Sequence, residues 1–103
     1  MTKNTLIQFF KTKHISEFYK LSTDAAFRKS DGKIVALLFN EDESIYEIDG
    51  IAVEIFDAIT KNESLINRML SIQEGKNWDN NHFQEDVAAF IKELIEHKII
   101  EVI

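Results

Sequence analysis

From Ala25 to Ile48 the apolar runs carry the signals of strands, and from Ala52 onward apolar residues repeat with the period of a helix. Residues 25–29 and 33–40 read as two strands separated by Ser30-Asp31-Gly32. Asp-Gly between two such runs predicts a tight hairpin, because a primed turn needs positive φ and glycine supplies it without strain. The second run is apolar on both faces, which predicts a central strand paired on both sides. Glu41-Asp42-Glu43 reads as a solvated turn and residues 44–48 as a third strand. A three-stranded meander leaves its first and third strands as edges.

Asp49 is placed to cap the helix that follows, and Ala52, Ile55, Phe56 and Ile59 give that helix one buried face. Lys61-Asn62-Glu63 breaks it, Ser64 caps a second helix with Leu65, Ile66, Met69 and Leu70 on its apolar side, and Gly75 is placed to end it or to begin the loop that follows. The loop over 74–80 holds the lone tryptophan, Trp78, read as a lid over the core or as a contact residue. Asn81 and Gln84 form a capping-box pattern for a third helix. Its stripe is Phe83, Val87, Phe90, Ile91, Leu94 and Ile95, with Glu85, Lys92, Glu93 and Glu96 away from it. His97 and Lys98 suit its C-terminal end, and residues 99–103 read as a short strand or extended tail.

Residues 1–20 are set apart as an N-terminal arm, because Leu6, Phe9, Phe10, Ile15, Phe18 and Tyr19 follow neither period. A short helix is compatible with them. The arm either covers part of the core or docks its aromatics on a partner protein or a second copy of the chain, making a homodimer. The expected fold class is thus α+β: a three-stranded antiparallel sheet followed by three helices over residues 21–103, winged-helix-like with the wing first.

With 103 residues, one modest core is expected. Charge is unevenly spread: through Lys33 seven cations face three anions, a balance of +4, whereas the remainder carries five cations and fifteen anions, a balance of −10. Phosphate binding needs a basic footprint, so nucleic acid is not an expected partner of the C-terminal part. From that acidic part a peptide partner with some basic residues is expected. Without cysteine there is no disulfide, thiolate metal site or redox motif. Lys11 and Lys13 interrupt the early apolar run, no window reaches a membrane span, and the expected location is the cytoplasm.

No catalytic, metal-binding or cofactor-binding constellation emerges. His14, His82 and His97 are scattered; Glu93 and His97 share a helical face, but two potential ligands do not make a metal site. Adjacent Glu85 and Asp86 point in different directions on a helix. Gly32, Gly50 and Gly75 form no phosphate-binding loop. A recognition helix for DNA should present Arg, Lys, Asn or Gln, and the exposed side of the third helix is acidic.

Two blocks resemble the PqqD family. Tyr46-Glu47-Ile48-Asp49-Gly50-Ile51-Ala52-Val53-Glu54-Ile55-Phe56 follows the family's order of an aromatic, a Leu-Asn pair, small residues and an Ile-Trp-like pair. Asp86-Val87-Ala88-Ala89-Phe90-Ile91-Lys92-Glu93-Leu94-Ile95-Glu96-His97-Lys98-Ile99-Ile100 is similar to its closing signature, and Asp31-Gly32-Lys33 precedes the central strand as it does there. Asp49 stands where Asn is usual, Lys61-Asn62 replaces Asp-Gly, and Lys98 occupies a position that is often Gly. Together the matches cover residues 20–102.

The resemblance implies a peptide chaperone, or RiPP recognition element, that is not itself an enzyme and uses no cofactor. Such a protein binds the leader of a ribosomally made precursor peptide and presents it to a modifying enzyme, often a radical SAM enzyme. In the family the leader adds as a strand to the third strand, against the third helix. An unpaired edge can supply main-chain partners for such a segment. The expected contact residues are Ile45, Tyr46 and Glu47 on the strand and Phe83, Val87 and Phe90 on the helix, with core packing as the alternative role. The competing function is a winged-helix scaffold or regulator that docks to a folded protein through residues 1–17.

Overall fold

In chain order the computed structural model, which describes residues 2–39, 45–76 and 80–103, runs α1 (Lys3–Lys13), β1 (Tyr19–Leu21), β2 (Ala25–Ser30), β3 (Lys33–Leu38), β4 (Ile45–Ile48), α2 (Ile51–Thr60), α3 (Leu65–Lys76), α4 (Asn80–Glu96) and β5 (Ile100–Val102). The expected antiparallel meander is present in the order β2-β3-β4, with β3 central. Ser30 pairs with Lys33 across a turn whose two central residues, Asp31 and Gly32, have φ of 51° and 76°. Those are the positive values that a primed hairpin turn demands. The expected turn at 41–43, the strand residue Ser44 and the lid residue Trp78 lie outside the described residues.

Alternation decides which face of this sheet is covered. Ile34, Ala36 and Leu38 of β3 and Ile48 of β4 are buried, whereas Val35, Leu37, Ile45 and Glu47 lie on the opposite, more open face. The helices cover the buried face. Phe56 of α2 meets Phe27 of β2 edge to face at 5.3 Å between ring centres, and Ile55, Phe56, Ala58 and Ile59 are all buried. A second sheet of two strands pairs β1 with β5, Tyr19 opposite Val102 and Leu21 opposite Ile100.

The N-terminal stretch is built into the same core. Leu6 and Phe10, one turn apart on α1, are buried, and the fully buried Tyr19 accepts a hydrogen bond at its hydroxyl from the Ser16 N–H at 2.7 Å. The carbonyl of Glu17 accepts from the Leu65 N–H at the start of α3, 3.0 Å away. Lys13 reaches Glu85 of α4 at 3.0 Å.

Several local expectations change. Gly50, with φ of 63°, occupies the N-cap position of α2 and no side chain caps it, so Asp49 does not serve there. The chain leaves β4 through a backbone conformation that suits glycine, and this puts the Asp49 side chain one position too early. Ser64 does cap α3, its Oγ accepting from the Asn67 N–H at 3.2 Å. Gly75 lies in the last turn of α3, one residue before Lys76, and the residues that follow, 77–79, lie outside the described ones. Asn81 lies inside the first turn of α4, which starts at Asn80. Ile95 is 39% exposed at the border of the α4 stripe, beyond the buried arc of Phe83, Val87, Ile91 and Leu94.

Three helices end through left-handed residues, the first being α1, where His14 has φ of 58° and the Ile15 N–H donates to the Phe10 carbonyl at 3.0 Å. After α2, Asn62 has φ of 57° and the Glu63 N–H donates to the Ala58 carbonyl at 2.9 Å; after α4, Lys98 has φ of 60° and the Ile99 N–H donates to the Leu94 carbonyl at 2.9 Å. This is the Schellman arrangement, which favours glycine at the left-handed position. Asn tolerates that conformation through its short polar side chain, but a Cβ-bearing lysine is strained there by about 1–2 kcal/mol. Lys98→Gly should therefore raise the unfolding free energy by about 0.5–1 kcal/mol, the strain relieved less glycine's greater entropy loss. Urea denaturation measures it, and an unchanged or lowered midpoint would contradict the strain.

A charge cluster ties β2, α2 and α3 together. Asp57 receives Lys29 from β2 at 3.1 Å, Lys61 at 3.1 Å and Arg68 of α3 at 3.3 Å. Arg68 also donates to the Glu54 carbonyl at 2.9 Å and to Glu63 at 2.6 Å. Burial alone would favour the neutral acid, but hydrogen bonds from Lys61, Lys29 and Arg68 outweigh it and hold the Asp57 carboxyl down at about 2, against an ordinary value of 3.8. A pKa depressed in the folded state stabilises above the unfolded value and loses that contribution as pH falls through the folded one. Asp57→Asn should accordingly lower stability at neutral pH, and the gap between variant and parent should close between pH 3.8 and about 2. Denaturation curves at stepped pH test this; a gap that persists at the acid end would point to lost packing instead.

Candidate functional site

β4 has β3 on one side, with Ile34 opposite Ile48, Val35 opposite Glu47, Ala36 opposite Tyr46 and Leu37 opposite Ile45. Among the described residues no strand pairs with its other side. Alternate backbone N–H and C=O groups of this edge therefore point away from the sheet, where another extended chain can meet them.

The inner side of the edge is defined by Tyr46. It is half-buried and extends from β4 to α4, where its ring lies 5.4 Å from that of His97, just past the end of the helix, and its hydroxyl hydrogen-bonds Glu93. Burial, the bond to Glu93 and that carboxylate's negative charge together push the Tyr46 hydroxyl up to about 12. The phenol is thus a neutral donor at any physiological pH.

Farther along, where Gly50 turns the chain from β4 into α2, an apolar cleft opens between α2 and α4. Ile51, Ala52 and Ile55 line it from α2, and Asp86, Val87 and Phe90 line it from α4, around about 280 Å³ of open space. Asp86, Phe90, Glu93 and His97 recur at helical spacing, so a single face of α4 runs from this cleft to Tyr46. Over the eleven residue steps from Asp86 to His97 that face is about 16 Å long, close to the reach of five residues of extended peptide.

The fold that carries edge and cleft is a known one. TbiB1 shares this fold. That protein, solved in complex with the TbiA(beta) leader peptide, aligns with a TM-score of 0.71 over 80% of this chain and 94% of TbiB1, at 16% sequence identity. No family model matches the chain, and no curated protein matches it. The TbiB1 likeness establishes the α+β architecture expected from the sequence.

The residues expected to contact a peptide fall in three places. Tyr46 and Phe90 are half-buried along the inner groove, with Val87 buried beneath the cleft it helps to line. Ile45 and Glu47 lie on the outer face of the same edge; Ile45, at 73% exposure, is the most exposed large apolar side chain described, and Glu47 pairs with Lys33 at 3.3 Å. Phe83 is buried in the core and does not line the cleft. Sequence reasoning missed Ile51, Ala52, Ile55 and Asp86. A signal existed for the first three: they begin a helix directly after the edge strand, and i, i+1, i+4 spacing puts them on one side.

Among the described residues no three His, Cys, Asp or Glu side chains gather as metal ligands, and no helix is long and apolar enough to cross a membrane. The site has the chemistry of recognition: an open main-chain edge, an apolar cleft and acidic side chains.

The Tyr46–Glu93 bond joins the edge strand to α4. Removing either partner should cost about 1 kcal/mol, with a double-mutant coupling of similar size between Tyr46→Phe and Glu93→Gln. Urea denaturation of the four proteins measures the coupling, and additive effects would mean that the bond does not contribute.

Proposed function

We propose that this protein is a PqqD-like peptide chaperone, a RiPP recognition element that binds the leader of a ribosomally made precursor and holds it for a modifying enzyme. The leader adds as a strand to β4. Its alternate side chains then face the Tyr46 groove and cleft on one side and the Ile45–Glu47 surface on the other. The chaperone performs no chemistry; a separate enzyme, often a radical SAM enzyme in the family it resembles, acts on the presented core. Ribosomal precursors arise in the cytoplasm, which is where this role belongs.

The observation that carries this reading is the unpaired β4 edge beside an apolar cleft. The sequence resemblance supports it independently, as does a shared fold with a protein solved bound to a leader peptide. Docking through residues 1–17 is disfavoured, because Leu6, Phe10 and Ile15 are buried in the chain's own core and are not free for a partner.

Isotope-labelled protein titrated with synthetic peptides from the N-terminal halves of short reading frames beside its gene should show amide shifts from Ile45 to Ile48. Ile45→Pro should weaken such a peptide about tenfold or more, since one or two main-chain hydrogen bonds are lost, while circular dichroism stays that of the parent. Shifts confined to α1 or the outer face of β2 would refute strand addition.

A further inference from the structure

We infer that the cleft between α2 and α4 reads a pair of side chains in the bound peptide: an apolar residue seated in the cleft and a lysine or arginine beside it, held by Asp86. This rests on the strand-addition reading and adds to it what kind of sequence the edge accepts.

The cleft walls come from Ile51, Ala52, Ile55, Val87 and Phe90, so its floor suits an aliphatic or aromatic side chain, and Asp86 supplies the one ionisable group in that lining. Two carboxylates flank Phe90 along the groove face of α4, and they differ in engagement. Glu93 is taken by the Tyr46 hydroxyl. Asp86 is exposed and has no ion-pair partner among the described residues, whereas its neighbour Glu85 is paired with Lys13 of α1. An exposed aspartate without an ion-pair partner among the described residues therefore borders the apolar cleft, and the chain from residue 34 onward carries a balance of −10 that favours a cationic partner there.

Geometry limits the spacing. Neighbouring residues of an extended peptide are about 3.3 Å apart and alternate in direction, so a long, flexible lysine or arginine within about two residues of the seated apolar residue can reach Asp86. The carboxylate is solvent-exposed, and its pairing energy is accordingly modest and sensitive to salt. Asp86 thus discriminates among peptides, while the edge and cleft supply most of the affinity.

The experiment uses the full chain, its Asp86→Asn and Asp86→Lys variants, and a displayed library of random linear peptides. Peptides enriched on the parent are synthesised, their site is assigned from backbone amide shifts, and matched lysine and norleucine versions are compared by fluorescence anisotropy at low salt. The expected result is enrichment of Lys or Arg within about two residues of an apolar residue, and about twofold to fivefold weaker binding of the norleucine version. Asp86→Asn should erase that difference, and Asp86→Lys should redirect selection toward Asp or Glu. Peptides that shift the Ile45–Ile48 amides yet show no preference for lysine, or keep it with Asp86→Asn, overturn this inference and leave strand addition standing. Failure to enrich any peptide, or enrichment only of peptides that leave β4 unmoved, overturns both.

Discussion

Burial of α2 on nearly every side is the constraint from which the rest of the structure follows. Its Phe56 meets Phe27 of the three-stranded sheet, its Ile55, Ala58 and Ile59 are enclosed, and its polar residue Asp57 gathers Lys29, Lys61 and Arg68 from three directions. A helix held in this way cannot shift without opening apolar surface to water, at about 25 cal/mol per Å². β4 enters α2 through only Asp49 and Gly50, so the fixed helix also fixes the edge strand. The first turn of α2 then becomes one wall of the cleft, which makes that cleft a product of core packing.

The same dependence explains what the sequence could reveal. Short apolar runs bounded by turn residues over 25–48 and helical periodicity after Ala52 are local signals, and they located β2, β3, β4, α2, α3 and α4 to within a few residues. Pairing of Tyr19 with Val102 is not local: it joins residues at opposite ends of the chain, and no period within either segment announces it. α1 was obscured for another reason. Leu6, Ile7, Phe9 and Phe10 lie on one side of that helix, the first and last buried and the other two half-buried, but they span little more than one turn, too short a run to establish a helical period. The Asp49 cap was misplaced because left-handed Gly50 sets where α2 begins, and a conformation of that kind is visible only once the direction of the next element is known.

At the site, meander logic was enough to identify β4 as an edge, but it did not separate the two faces of that edge. Ile45, Tyr46 and Glu47 were grouped as neighbours in sequence, whereas the strand's pleat sends Tyr46 toward α4 and the other two to the opposite surface. Phe83 and Val87 share the apolar stripe of α4 and both are buried, but only Val87 reaches the cleft: most of a stripe is needed for the core. Phe90 escapes because it lies at the border of that stripe, next to acidic residues. Asp86 could not be singled out in sequence, since among so many carboxylates its distinction lies in lining a cleft and having no ion-pair partner among the described residues.

Two of the departures from the PqqD pattern fall at left-handed positions. Asn62 and Lys98 stand where the resemblance leads one to expect glycine, and both adopt the left-handed conformation that glycine would take. At Asn62 the exchange is mild, but at Lys98 the chain tolerates strain to end α4 where it does. That ending has a structural consequence: the Lys98 turn releases Ile99 and Ile100 into the core and delivers β5 to β1, while leaving His97 beside Tyr46. A helix one turn longer would carry His97 and Glu93 no differently, but it would direct residues 99–102 away from β1 and remove the strand that ties the N-terminal segment to the core. The position of the stop, more than the residue that occupies it, is what the fold requires, and a glycine-to-lysine exchange can obscure a resemblance in sequence while leaving the groove unchanged.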